Sequence, residues 1–282
     1  MNNIFKSIFI ALFPMFAVYV LVDSILHVYQ NDLSYRYLGR GLIALTIIVF
    51  FAGLFIKSQA RTSKNLRLYT VIIIFGFLIS SVIGGYIENN NILGSSFSFA
   101  LVLCWLLYLR WYSIFEKRNT SILKVGNELP DFQLEDASKK RVLASSFLGN
   151  PSIFLFYRGN WCPLCMAQIK EIAAQYKELE KRGVHMVFIS PQPHKFSNNL
   201  AKKYDLGFQF LTDTKNKVAK QLGIFSKNGI PAGFQAMGYD SDTVLPTVII
   251  TDASGKIIFA DLTDNYRVRP EPETFLKVID SI

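Results

Sequence analysis

An all-α four-helix transmembrane module followed by an α/β domain with a central mixed sheet is the fold class this sequence predicts. Two observations carry it. First, 51% of the 282 residues are hydrophobic and 18% charged, against about a quarter charged in a water-soluble domain. The shortage is confined to one half: residues 1–121 hold 10 Lys/Arg and 4 Asp/Glu, whereas residues 122–282 hold 20 and 17. Second, short apolar runs bounded by turn residues alternate in the later half with stretches of helical periodicity. The expected domains are 1–118, the membrane module, and 119–282, a globular domain large enough for its own core. Disorder, collagen-like repeats, a disulfide-stapled mini-protein and a single soluble domain are excluded.

Four stretches match the roughly 20 residues that a spanning helix needs: about 4–25, 38–56, 68–87 and 97–112. Trp105, Tyr108, Trp111 and Tyr112 suit an interfacial aromatic belt in the fourth. The first resembles a signal peptide in its basic start, but Val22-Asp23-Ser24-Ile25-Leu26 offers no small-x-small cleavage site. Asp23 is read as an interfacial residue near a helix end, with an intramembrane functional carboxylate as the alternative. Gly53 and Gly84-Gly85 are expected to serve close helix packing.

The net charge of +9 follows the same division. The globular half carries a dispersed +3, a poor match for nucleic acid, which needs clustered basic charge. Lys6, Lys57, Arg61, Lys64, Arg67, Arg110, Lys117, Arg118 and Lys124 fall on one side of a four-span layout, and Arg36 and Arg40 on the other. The positive-inside rule then puts both chain ends and the globular domain in the cytoplasm. Loss of one span would reverse this to an extracytoplasmic domain. An integral protein of the bacterial inner (cell) membrane is expected, with the lipid bilayer as one partner.

In the globular half, Ile153–Tyr157 reads as a buried strand between Asn150-Pro151 and Gly159. A helix over Pro163–Lys181 is predicted from Ile169, Ile172, Ala173, Tyr176 and Leu179, and Gly183 stops it. Val184–Ile189 is a second buried strand. Phe196–Tyr204 and Lys215–Leu222 are helices, the latter capped by Asp213. Thr247–Thr251 and Lys256–Phe259 form a hairpin across Asp252-Ala253-Ser254-Gly255, and a helix over Glu273–Ile282 closes the chain.

Chemistry concentrates in Trp161-Cys162-Pro163-Leu164-Cys165, where strand gives way to helix. The thiolate is the reactive form of cysteine, and a helix N-terminus favours it through free N–H groups and the positive dipole end. Pro163 suits the first helical position. Cys165, three residues on, lies on the face that lets it attack a mixed disulfide formed at Cys162. A zinc site would need further ligands; Cys104 lies in a span, and His185 and His194 have no ligand spacing, so no metal is expected. A chance pair of structural cysteines is the other alternative. Arg158 either lowers a cysteine pKa or is a surface arginine at a strand end, and Trp161 either shields the dithiol or is ordinary packing. Arg267, Arg269 and Pro270-Glu271-Pro272 are read as a solvated lead into the last helix.

Phe156-Tyr157-Arg158-Gly159-Asn160-Trp161-Cys162-Pro163-Leu164-Cys165 resembles the active-site segment of the thioredoxin-like superfamily, and more closely its peroxiredoxin-like (AhpC/TSA, redoxin) branch. Leu129-Pro130-Asp131-Phe132, Phe210-Leu211-Thr212-Asp213, Leu245-Pro246-Thr247 and Asp252-Ala253-Ser254-Gly255-Lys256 add to the resemblance, which covers roughly Lys124 to the C-terminus. It implies a thioredoxin-like fold with Cys162 and Cys165 catalytic, and with Trp161, Pro163, Arg158, Leu245 and Pro246 supporting the site. It also implies a cis bond before Pro246, with the Leu245 backbone free to pair with a substrate chain. The peroxidatic cysteine of typical peroxiredoxins falls on Cys165, and the sequence departs from them in three places. Their assisting threonine falls on Cys162. Their proline becomes Arg158, and their distant arginine becomes Pro246.

These departures point to a membrane-anchored thiol–disulfide oxidoreductase: Cys162 attacks a substrate disulfide, Cys165 resolves it, and an external dithiol donor resets the pair without a cofactor. The alternatives are a thiol peroxidase that reduces peroxides through Cys165 and a non-catalytic membrane redox sensor. Cys104 is the sole cysteine of the spans, and one thiol cannot relay two electrons by disulfide exchange, so the helices are expected to anchor or to bind partners.

Overall fold

A computed structural model describes residues 2–30, 34–57, 59–87, 95–115, 118 and 121–282. Lys117 of the basic set, residue 119 at the expected domain boundary and residues 88–94 of the connection after Glu88 lie outside the described residues. The chain divides into two compact units. One comprises Ile8–Lys57 and Thr62–Ile114; the other comprises Phe115–Ile282 together with Met1–Ser7 and Ser58–Arg61.

The first unit is helical. α1 runs over Asn2–Gln30, α2 over Tyr35–Ile56, α3 over Arg67–Phe77, α4 over Gly84–Ile87 and α5 over Ser96–Leu107. A π-helical turn at Leu78–Ile83 joins α3 to α4, and another at Tyr108–Tyr112 extends α5. Three helices, Asn2–Gln30, Tyr35–Ile56 and Arg67–Ile87, are long and apolar enough to cross a membrane, whereas the apolar Ser96–Tyr112 is shorter. Close approach is made at Gly84, one of the three glycines the sequence indicated, and at two others it did not. A Cβ on Gly39 would lie 2.4 Å from both the Gly76 carbonyl and the Ser80 nitrogen, so α2 and α3 touch backbone to backbone there. Gly53 and Gly85 face open space, and only Gly84 of the three expected positions is crowded, against Arg36.

Asp23, read from the sequence as interfacial, has a partner on the neighbouring helix. It accepts from Arg40, a buried guanidinium that donates to Ser24 Oγ at 2.9 Å. A buried cation is tolerated when paired and hydrogen-bonded, and this pair ties α1 to α2.

In the globular unit the strands are β1 Gln133–Glu135, β2 Arg141–Leu143, β3 Ser152–Phe156, β4 His185–Ser190, β5 Gln209–Thr212, β6 Phe225–Ser226, β7 Thr243–Val244, β8 Thr247–Thr251 and β9 Ile257–Asp261. The helices are α6 Pro163–Ala174, α7 Tyr176–Lys181, α8 His194–Lys203, α9 Lys217–Gln221 and α10 Pro272–Ile279. Seven strands form one sheet in the order β2-β1-β5-β4-β3-β8-β9, and β6 pairs with β7 separately. β3, β4 and β5 run parallel; β8 is antiparallel to β3, and β9 to β8. This is a mixed sheet flanked by helices, the thioredoxin-like arrangement. Every residue of β3 and β8 is buried, as expected of central strands covered on both faces.

The single helix expected over Pro163–Lys181 breaks at Gln175, whose φ of −95° and ψ of 10° lie outside the helical range. The Asp252–Gly255 turn joins β8 to β9: the Asp252 carboxylate accepts from the Ser254 and Lys256 amides. Asp213 sits before α9 as the sequence indicated. It is buried, and its two oxygens accept from the Val218 and Ala219 amides at 2.9 and 2.8 Å, which satisfies free donors of the first turn.

Candidate redox site

The cysteines lie where β3 delivers the chain to α6, at the C-terminal edge of the parallel strands, the end where α/β sheets place their ligands. Tyr157 extends the sheet by donating its amide to the Ile189 carbonyl at 2.9 Å, and the chain then turns through Gly159. The φ there is +147°, and a Cβ would lie 2.6 Å from Trp161 Nε1, so only glycine fits. The Cys162 amide donates to the Gly159 carbonyl at 3.2 Å, and Cys162 is the N-cap of α6, with Pro163 in the first turn. Proline costs little there because the missing N–H would have had no helical partner. The Cys162 carbonyl accepts the Met166 amide at 3.1 Å and starts the helix.

Both thiols are free and buried, Cys162 with 2% of its surface exposed and Cys165 with none. A guanidinium lies against both. Arg269 places Nη2 3.4 Å and Nη1 3.5 Å from Cys165 Sγ, and Nη2 4.0 Å from Cys162 Sγ. Its remaining donors are used as well: Nη1 donates to Gln168 Oε1 at 2.9 Å and Nε to the Tyr266 carbonyl at 3.1 Å. A fork held at several points is a charge that cannot swing away from the sulfurs.

The two thiols are pushed in opposite directions. Burial acts against a thiolate at Cys165, but the Cys162 thiol donates to it, the Arg269 charge attracts it and the Arg158 backbone N–H donates to it. Its pKa falls well below the ordinary cysteine value. At Cys162 the hydrogen bond to Cys165 holds the proton and burial adds to the effect, so its pKa rises well above. A thiolate at this pair is thus favoured on the Cys165 side, where Arg269 stands as its counter-ion.

Arg158 is not a surface arginine. It is buried, donates to the Gly229 carbonyl and stacks its guanidinium 4.8 Å from the Trp161 ring centroid. Its own carbonyl accepts from Thr243 Oγ1 at 3.0 Å. Trp161 also packs against Phe234 at 5.4 Å, and its Nε1 is buried without a hydrogen-bond partner. Five expected site residues, Arg158, Trp161, Cys162, Pro163 and Cys165, thus share one loop and helix start.

Leu245 and Pro246 reach the same end of the sheet, because β8 pairs Thr247 with Phe156. Their expected conformation is not found. No cis peptide bond occurs among the described residues, so the bond before Pro246 is trans. The Leu245 amide is taken by the Ile224 carbonyl at 2.7 Å, and its carbonyl accepts from Thr247 Oγ1 at 2.9 Å. That backbone is engaged within the domain, not free for an extended substrate.

Arg269 is the residue that sequence reasoning placed wrongly. Arg267 and Arg269 were expected in solvent, yet both are buried, Arg267 at 0% exposure. The available signal was indirect: a buried thiolate needs a cation, and the cysteine segment itself supplies only Arg158. Arg269 reaches the thiols from the segment between β9 and α10. Among the described residues no group of three or more His, Cys, Asp or Glu is placed to hold a metal ion.

A mixed sheet whose central strand feeds a Cys-x-x-Cys helix start defines a thioredoxin-like redox domain. Residues 125–260 match the AhpC/TSA family, in line with the resemblance that the cysteine segment carries. The chain is 26% identical over 159 residues to "Thiol-disulfide oxidoreductase ResA" of Bacillus subtilis, covering 56% of this chain and 77% of that protein. It is 34% identical over 110 residues to "Peroxiredoxin Q, chloroplastic" of Sedum lineare, covering 38% of this chain and 59% of that one. Among solved structures it is similar to peroxidoxin BcpB from Mycobacterium tuberculosis, with 20% identity, a TM-score of 0.46, and 57% of this chain and 98% of that chain covered. The relatives are oxidoreductases of two kinds, one named for disulfide exchange and the other a peroxiredoxin.

Proposed function

We propose that the chain is a membrane-anchored thiol–disulfide oxidoreductase whose Cys162–Cys165 pair cycles between dithiol and disulfide. The observation that carries this reading is the placement of two thiols, a single helical turn apart, against one guanidinium. Cys162, the thiol with residual exposure, passes its proton to Cys165 and attacks one sulfur of a substrate disulfide. The substrate S–S bond breaks, and the departing thiolate takes the proton back from Cys165. Cys165, again a thiolate beside Arg269, attacks the Cys162 sulfur and releases the second substrate thiolate. Two electrons have left the dithiol, and an external dithiol donor returns them.

A second reading, thiol peroxidase, is favoured by the Arg269–Cys165 contact. Cys165 would attack a peroxide oxygen, the O–O bond would break with the proton going to the leaving oxygen, and Cys162 would close on the sulfenic acid with loss of water. Arg269 supplies a donor for the leaving oxygen that the loss of the family arginine at Pro246 had removed.

Stopped-flow fluorescence of the full chain separates the two, with Trp161 as reporter of the dithiol. Faster reaction with a protein disulfide than with hydrogen peroxide at neutral pH is expected. Fast oxidation by peroxide with no measurable disulfide exchange would transfer the assignment to the peroxidase. Slow reaction with both, in the presence of a dithiol donor, would leave a sensor.

The three long apolar helices fit membrane anchoring. With the shorter apolar helix Ser96–Tyr112 counted as a fourth span, the basic residues on one side of that layout support a cytoplasmic redox domain. Reporter fusions after Arg118 test this: a cytoplasmic signal is expected, and an outward signal would instead place the dithiol in an oxidising compartment.

A further inference from the structure

Cys165 rides on α6 and Arg269 on the segment between β9 and α10, so the contact between them depends on two elements staying in register. A third side chain bridges these elements. Arg61 belongs to the short piece Ser58–Arg61 of the globular unit. Its Nη2 lies 2.5 Å from Glu171 Oε2 on α6 and donates to the Pro270 carbonyl, next in sequence to Arg269, at 3.3 Å. Its Nη1 lies 3.5 Å from Glu171 Oε1 and 4.0 Å from Glu271 Oε1. One guanidinium thus holds the cysteine helix with one edge and the backbone beside Arg269 with the same fork. A planar, multi-donor group suits this bridge, and a lysine ammonium on a flexible stem suits it less well.

We infer that Arg61 is a positioning residue for the dithiol, pinning α6 to the Arg269 segment so that the Arg269 guanidinium stays against the Cys165 sulfur. This rests on the reading in which Arg269 governs the thiols. The groups that face Cys165 are the Cys162 thiol, the Arg269 guanidinium, the Arg158 amide and the Tyr157 phenol. Arg61 bonds to Glu171, Pro270 and Glu271 instead, so its influence on the sulfur passes through Arg269. The Arg61 and Glu171 side chains are 26% and 32% exposed, so the ion pair is partly screened by solvent and its effect is modest.

The test uses the full chain in detergent, in a Cys104→Ser background, and follows thiolate absorbance and iodoacetamide alkylation against pH. Arg61→Ala and Glu171→Gln are each expected to slow alkylation roughly two- to fivefold below the ordinary thiol range, the scale of a partly exposed ion pair. The double variant should be little worse than either single change, because both remove one bridge. Arg61→Lys should recover only part of the loss. A lower melting temperature with an unchanged thiol titration in both single variants would overturn the inference and leave Arg61 a structural residue. Additive losses in the double variant would overturn it as well. Arg269→Met serves as the control: if it leaves the titration unmoved, the premise that Arg269 governs the thiols fails, and the role of Arg61 fails with it.

Discussion

Replacing Cys162 by serine in the full chain is expected to remove two-electron turnover almost entirely, by about three orders of magnitude or more, as losing a covalent nucleophile does in other enzymes. Cys162 makes no side-chain cap bond, and serine is a good N-cap residue, so the start of α6 should survive. The loss would therefore be chemical. Cys165 would keep Arg269 as its counter-ion but lose the thiol that donates to it and closes the disulfide. Steady-state reduction of a protein disulfide, with melting temperature as the folding control, checks this. Intact disulfide reduction by Cys162→Ser would remove Cys162 from the mechanism.

Arg269→Met should produce the second largest effect. The methionine keeps an apolar, flexible side chain of similar reach but removes the charge, so the Cys165 thiolate loses its counter-ion inside a buried site. Hydrogen bonds to a charged group contribute about 1.5–3 kcal/mol, which corresponds to a roughly ten- to hundredfold slower thiolate reaction at neutral pH. Stabilising the thiolate stabilises the reduced form, so the variant should also become more reducing, by roughly 30–60 mV on the two-electron scale. An equilibrium titration against a glutathione buffer reads that shift.

The pH dependence has a defined sign. The folded pKa of Cys165 is depressed below its unfolded value. Its contribution to stability is therefore complete above the ordinary thiol range and declines as pH falls into the window between the two values. It is gone below the folded pKa. The stability gap between wild type and Arg269→Met should accordingly widen as pH rises through that window. A gap that stays flat or narrows would show that Arg269 serves packing alone.

The sequence made some of this legible because the signals were local. Long apolar stretches announced the helices of the membrane module, and continuous apolar runs announced β3, β4 and β8. An Asp-Ala-Ser-Gly turn announced the β8–β9 hairpin. β1 and β2, three residues each, are too short for alternation to register, and Phe210-Leu211-Thr212 of β5 carried a family resemblance without enough length to read as a strand. The break at Gln175 between α6 and α7 has no proline or glycine to mark it. At the site, Cys162, Pro163 and Cys165 were readable because their chemistry depends on spacing within one turn. Arg269 was not: it is 104 residues from Cys165, in a stretch whose Arg-Val-Arg-Pro-Glu-Pro composition resembles solvated chain. Only tertiary folding buries it. The bond before Pro246 failed in the opposite way, since a local spelling suggested a conformation that pairing of Leu245 with Ile224 does not adopt.

The most direct test of the central claim is mass-spectrometric mapping of disulfides after the reduced full chain meets one equivalent of a protein disulfide. The dithiol mechanism predicts a Cys162–Cys165 intramolecular disulfide, a reduced substrate and an unmodified Cys104 thiol. Oxidation that spares Cys162 and Cys165, or that accumulates as a bond between two chains through Cys104, would contradict it.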